Sequence, residues 1–263
     1  MKVSTAAEYI RSLLQRGRYT FTIHEADQAL GGRSKALDVL LLQQKQGWLF
    51  MPTRGFYVII DPQHQSLGTL PLEWYFDDWA VYQQCQYYIG GLSAAMLHGA
   101  SHQKPQQGQV MVNRQLPAIV HHAHRVVLFY SKTIATSAWE QRKSPAGYYH
   151  LSTPAMTAYD LLRYPRACPT LDLAATVLTE LGEAITRDGL AHLVDLGGEM
   201  AILQRLGWLL DYVGWEEKTD RLAACLRSQR LVWRPLRQDI PTEHHAREKK
   251  WHMIVNAEIE ADL

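Results

Sequence analysis

Apolar positions in the first sixty residues recur first with a helical period and then with a strand period. Ala7, Ile10, Leu13 and Leu14 line one side of a helix predicted over residues 4–16. Thr22-Ile23-His24-Glu25 has the form of a capping box. In such a box the Thr22 hydroxyl accepts from the Glu25 amide, and the Glu25 carboxylate accepts from the Thr22 amide. The short helix that follows is expected to stop after Leu30 at Gly31-Gly32, because glycine takes positive φ without strain. A second helix starts near Arg33-Ser34. Its Leu37, Leu40 and Leu41 fall at i, i+3, i+4 and predict one buried face, and Gly47 ends it. Trp48–Met51, then Pro52-Thr53-Arg54-Gly55, then Phe56–Ile60 reads as strand, turn, strand.

Helix, glycine turn, helix and a hairpin with a basic tip is the layout of a winged helix-turn-helix. In that module the second helix lies in the DNA major groove and the hairpin touches the backbone beside it. Lys35, Asp38, Leu42 and Lys45 share the face opposite the leucines. Lys35 and Asp38 are expected to face bases, Asp38 as acceptor for a cytosine amino group. Arg33, Ser34, Lys45, Thr53 and Arg54 are expected to hold phosphates. Leu42 suits a thymine methyl or another protein surface, so a module used only for protein contacts stays open. Arg11, Arg16 and Arg18 suit phosphate or solvent equally. The net charge of +1 decides nothing, but its distribution does: residues 1–60 hold eight Lys/Arg against four Asp/Glu, and the remainder is slightly acidic. So modest an excess predicts weak nonspecific binding that salt removes quickly.

Asp61 to Pro71, with two prolines and a glycine, reads as a linker. It separates a DNA-binding domain at 1–62 from a larger domain at 70–263. A helix is predicted over 71–85, with Trp74, Tyr75, Trp79 and Tyr82 as a core stripe. A short helix follows from Leu92 to Leu97, then strands at 109–112, 125–130 and 147–151. Thr153-Pro154 opens a helix to Leu162. Helices are expected at 171–185, 190–196, 199–213 and 219–230. Closing strands are expected at 231–233 and 251–256, with 243–250 as a polar loop or helix end. The fold class is therefore α+β: an N-terminal winged helix-turn-helix, then a larger mixed α/β domain with a helical second half.

Cys85, Cys168 and Cys225 form no CxxC pair and suit reduced thiols of a cytoplasmic protein. No apolar run is long enough to span a membrane, and the first residues lack the apolar core of a signal peptide. His98 and His102 have i, i+4 spacing but no glutamate between them to act as base. His122 and His124 could share a strand face, and His244-His245 is a similar exposed pair. Gly90-Gly91-Leu92-Ser93 invites comparison with the phosphate turn of polymerase-β-like nucleotidyltransferases. Such enzymes need spaced carboxylates for Mg²⁺, yet Glu140 is the only acid between Asp78 and Asp160. Asp77-Asp78 and Glu258-Ile259-Glu260 have no lysine that completes a nuclease motif and are expected at the surface. No nucleophile elbow, Walker loop or dinucleotide fingerprint occurs. No catalytic residue, metal or cofactor is expected, and the chain is not expected to be an enzyme. Basic runs over 101–143 and 221–237 suit a polyanion or a solvated face.

Residues 88–106, Tyr-Ile-Gly-Gly-Leu-Ser-Ala-Ala-Met-Leu-His-Gly-Ala-Ser-His-Gln-Lys-Pro-Gln, resemble the AbiEi family of type IV antitoxins, linked to bacterial abortive infection. Gly47, Leu49, Arg54, Gly55 and Tyr57 are similar to that family's wing, and Trp251, Val255 and Asn256 to its C-terminus. The resemblance implies a bacterial cytoplasmic antitoxin. It also implies that the winged helix represses its own operon by binding inverted repeats in double-stranded DNA. The partner it implies is a nucleotidyltransferase toxin, countered without stable contact. Asp38 and Leu42 sit poorly with a DNA face. A ligand-sensing one-component regulator and a DNA-modifying enzyme with a degenerate site are the alternatives.

Overall fold

The computed structural model describes residues 5–100 and 105–260; the side chains of residues 33–35 lie outside the described set, as do Ser4, His102 and Lys104. The described chain divides into two compact units. The first runs to Tyr88 and adds Gln106–Ile134 and Gln141–His150; the second holds Ile89–Pro105, Ala135–Glu140 and the chain from Leu151 onward.

The first unit opens with α1 (Ala6–Leu14), β1 (Thr20–Thr22), α2 (Ile23–Leu30), α3 (Arg33–Lys45), β2 (Leu49–Thr53) and β3 (Phe56–Ile59). The strands form an antiparallel sheet ordered β1-β3-β2. Capping boxes start both early helices, Thr5 with Glu8 and Thr22 with Glu25. The first of these was not foreseen, nor was β1. Three residues are too few to show a period, and Thr22 serves both as strand end and as N-cap. Tyr9, Ile10, Leu13, Phe21, Leu40 and Tyr57 meet in one core, where each large apolar side chain contributes about 1.5–3 kcal/mol. Ala7 is exposed and its predicted place is taken by Ala6 and Tyr9, which are buried.

The stretch 61–71 lies within this unit, and residues from both of its sides meet. The Phe50 ring packs edge-on to Tyr75 at 5.4 Å and stacks on His121 at 5.1 Å. Beyond it come α4 (Phe76–Gln83), β4 (Tyr87–Ile89), β5 (Gly108–Val112), β6 (Ile119–His121), β7 (His124–Tyr130), β8 (Trp139–Ser144) and β9 (Gly147–Ser152). They form a sheet ordered β6-β7-β5-β4-β9-β8. Strands β5 and β7 pair in parallel, β6 and β7 antiparallel. The chain crosses from one unit to the other within β4, β8 and β9.

The second unit contains α5 (Gly91–Leu97), α6 (Pro154–Arg163), α7 (Leu171–Ala184), α8 (Arg187–Asp195), α9 (Met200–Tyr212) and α10 (Glu216–Arg227). Thr153, Thr170 and Thr186 cap α6, α7 and α8 through their hydroxyls. A small sheet ordered β10-β12-β11 closes it, from β10 (Arg234–Pro235), β11 (Ala246–Glu248) and β12 (Met253–Val255). Two expectations are corrected here. Residues 231–233 are not a strand; pairing begins at Arg234, whose amide donates to the His252 carbonyl. The polar stretch 243–250 contains β11, held by pairing with β12 rather than by an apolar pattern. No helix among the described residues is long and apolar enough to cross a membrane.

Candidate nucleic-acid interface

The chain passes from α2 to α3 through Gly31 (φ 79°) and Gly32 (φ 136°), both in the left-handed region that glycine tolerates. The face that α3 buries keeps only Leu40 of the predicted three leucines. Ala36 and Leu40 are buried and Val39 packs beside them, whereas Leu37, Leu41 and Leu42 are 44%, 52% and 52% exposed. The i, i+3, i+4 spacing of three leucines outweighed one alanine in the pattern. At 3.6 residues per turn, Leu37 and Leu41 lie well round the helix from Ala36. The small Ala36 side chain lets the backbones of α2 and α3 approach. Asp38 and Lys45 are exposed on the outward side with Leu41 between them. The predicted contacts of Arg33, Ser34 and Lys35 fall on side chains outside the described residues.

The β2–β3 hairpin turns at Arg54-Gly55, after Thr53 pairs with Phe56. Arg54 is exposed and makes no ion pair among the described residues; Thr53 is half-buried. Two neighbours hold the tip. The Tyr82 hydroxyl donates to the Arg54 carbonyl at 3.0 Å, and the Ile23 amide, at the start of α2, donates to the Gly55 carbonyl at 2.8 Å. Tyr82, predicted as part of a core stripe, is 39% exposed and serves as this clamp; Tyr75 and Trp79 do occupy the core. Gly55 has φ 84°, and a Cβ there would sit 2.9 Å from the Tyr82 hydroxyl and 3.3 Å from an Ile23 methyl. Gly55→Ala is therefore expected to destabilise the first unit by about 1–3 kcal/mol. Urea unfolding monitored on the first unit's tyrosines checks this, and an unchanged midpoint would contradict the clamp.

Of the cations flanking this surface, Arg18 is already engaged. Its guanidinium donates to Glu25 Oε1 at 2.8 Å, while Glu25 Oε2 accepts from the Thr22 amide at 2.7 Å. Burial pushes the Glu25 pKa up, but the hydrogen bonds from Arg18 and Thr22 outweigh it and leave it below its ordinary value. Arg11 and Arg16 are exposed.

The other candidates resolve into structural roles. His122 occupies the turn between β6 and β7 with φ 50°, so it does not share a strand face with His124. His121 stacks on Phe50, and burial, helped by His122 and His124, lowers its pKa. Asp78 is exposed, as expected, and Asp77 is half-buried; both are hydrogen-bonded, Asp77 accepting from the Tyr87 hydroxyl at 3.1 Å and Asp78 from the Thr20 hydroxyl. The three cysteines are unpaired thiols. Among the described residues no group of three or more His, Cys, Asp or Glu is arranged to hold a metal ion. In the central motif, Gly91, Ser93, Ala94 and Ala95 are buried as α5 packs against α6, and His98 Nε2 lies 2.8 Å from the Ser152 carbonyl oxygen. These small residues let helices pack closely.

Residues 88–212 match the model of the AbiEi antitoxin C-terminal domain. That segment belongs to the AbiEi antitoxin family. The AbiEi segment starts inside β4 and ends with α9, so it includes the motif of α5 and leaves out β10, β11 and β12. No curated protein matches the chain in sequence. The crystal structure of the RV2827C protein from Mycobacterium tuberculosis is similar at a TM-score of 0.68 and 17% identity, covering 95% of this chain and 90% of that one. At that identity the likeness establishes a shared mixed α+β fold alone.

Proposed function

We propose that this AbiEi protein is the antitoxin of a type IV toxin–antitoxin system and the repressor of its own operon. Residues 1–62 form a winged helix-turn-helix that binds inverted repeats in double-stranded DNA, and residues 70–263 counter a nucleotidyltransferase-type toxin in the bacterial cytoplasm. The AbiEi segment supports the antitoxin role, and that family is not one of enzymes. One observation carries the DNA-binding half. The order α1-β1-α2-α3-β2-β3, with sheet order β1-β3-β2, presents the outward side of α3 and an unpaired Arg54 at a clamped hairpin tip. In this reading α3 enters the major groove, with Lys35 and Asp38 toward bases. Arg33, Ser34, Lys45, Thr53 and Arg54 hold the backbone.

The test is a titration of the full chain against its own upstream fragment and a scrambled fragment at several salt concentrations. Wild type is expected to prefer the upstream fragment. Arg54→Ala is expected to weaken binding to both fragments alike and to reduce the salt slope by about one. An unaltered slope would remove Arg54 from the backbone contacts, and no binding at low salt would end the repressor reading. One observation favours a second reading: Leu37, Leu41 and Leu42 make the outward side of α3 partly apolar, which suits protein contact.

A further inference from the structure

Within the second unit, α6, the amino end of α7, α9 and residues 236–239 and 258–259 line a half-open pocket of about 470 Å³. Leu161, Leu162, Ile202, Leu236 and Ile259 give it apolar walls. Three arginines also line it, and they differ in one respect. Arg163 pairs with Glu199 at 3.0 Å, and Arg237 pairs with Asp239. Arg205 is 9% exposed, and no carboxylate among the described residues lies within ion-pair distance of it. Its Nε donates to the Leu236 carbonyl at 3.0 Å and its Nη2 to the Pro235 carbonyl at 3.4 Å. Those carbonyls satisfy protons but supply no negative charge, so a buried cation stands on the cavity wall without a counter-ion. Burial accordingly lowers the Arg205 pKa from the ordinary arginine value.

The amino end of α7 adds to the same field, since Thr170, Leu171 and Asp172 line the cavity at the positive end of a 14-residue helix. Carboxylates set the limit on what can enter. Asp172 Oδ1 accepts from the Glu260 amide at 3.0 Å, and Glu258 is an exposed wall residue. Both would repel a polyphosphate. An apolar patch beside one deep cation with no counter-ion, in a pocket whose other arginines are already paired, fits a small ligand with an apolar body and a single negative charge.

We propose that this cavity binds a small organic carboxylate, its headgroup on Arg205 and its apolar body against Leu161, Ile202 and Ile259. The site is separate from the DNA-binding reading and does not depend on it.

Thermal unfolding of the full chain tests the proposal with benzoate, hexanoate, phenyl phosphate and chloride at matched ionic strength. Benzoate or hexanoate at saturation is expected to raise Tm by about 2–4 °C over chloride. Arg205→Gln keeps a donor for the carbonyls, removes the charge and is expected to abolish the rise. Should that variant not fold, Gln238→Trp fills the cavity from an exposed wall position and is expected to do the same. No rise over chloride, a rise with phenyl phosphate alone, or a rise that persists in Arg205→Gln or Gln238→Trp overturns the assignment.

Discussion

Trp251→Ala is expected to cost the second unit about 3–5 kcal/mol, the largest loss among single substitutions proposed for this protein. The indole is 1% exposed and lies flat on the backbone of α9. A Cβ on Gly207 would come within 2.3 Å of its ring carbons, so the site needs glycine on one side and a flat ring on the other. The ring nitrogen donates to Asp211 Oδ2 at 2.7 Å; Lys250 pairs with the same carboxylate at 2.8 Å, and the Thr219 hydroxyl donates to Asp211 Oδ1 at 2.6 Å. The Gln204 amide ties the Trp251 carbonyl at 2.8 Å to the Val232 carbonyl at 3.0 Å. Removing the indole leaves a cavity and a partly buried carboxylate with one donor fewer. Gly207→Ala probes the same contact with a sharper sign test. Inside a helix, alanine in place of glycine is ordinarily worth about 1 kcal/mol of added stability. Here the overlap with Trp251 is expected to reverse that sign. Urea unfolding of both variants gives the answer, and a stabilised Gly207→Ala would refute the packing described.

Much of the fold was legible because local chemistry marked it. Thr22-x-x-Glu25, Gly31-Gly32 and Thr153-Pro154 fixed helix starts and stops to within a residue or two. Two of the strands that escaped notice share a cause. Strands β6 and β8 are the two edges of the six-stranded sheet, one only three residues long and the other the polar run Trp-Glu-Gln-Arg-Lys-Ser. Short or charged strands are what a sheet edge requires, and they carry little period-two signal. The C-terminal similarity at Trp251 and Asn256 gains a physical meaning only in three dimensions. Asn256 is buried, accepts from the Arg237 amide at 3.0 Å, and donates to the carbonyls of Arg237 at 2.8 Å and Ile240 at 2.9 Å. Those contacts pin the segment that lines the Arg205 cavity. Arg205 itself looked like any helical arginine, because a sequence gives a residue's charge and not the charge of its neighbours. The role of Tyr82 was hidden for a similar reason: nothing in an aromatic stripe says which ring points at a hairpin tip.

The corrected register of α3 makes the second large prediction. Leu40→Ala is expected to destabilise the first unit by about 2–5 kcal/mol, because its side chain is 1% exposed in the core. Leu41→Ala, one residue on, is expected to change stability by no more than about 0.5 kcal/mol. Equal losses in a denaturation series would restore the stripe expected from spacing alone. The pair also separates the two uses of the outward face. A leucine in a DNA groove contributes only where it meets a thymine methyl, so Leu41→Arg would add a favourable contact to phosphate and steepen the salt dependence of binding. On a protein-contact face the same change would bury an unpaired charge and break the association. Stronger, steeper DNA binding by folded Leu41→Arg would thus place α3 against nucleic acid, and loss of self-association or partner binding with unaltered DNA affinity would place it against protein.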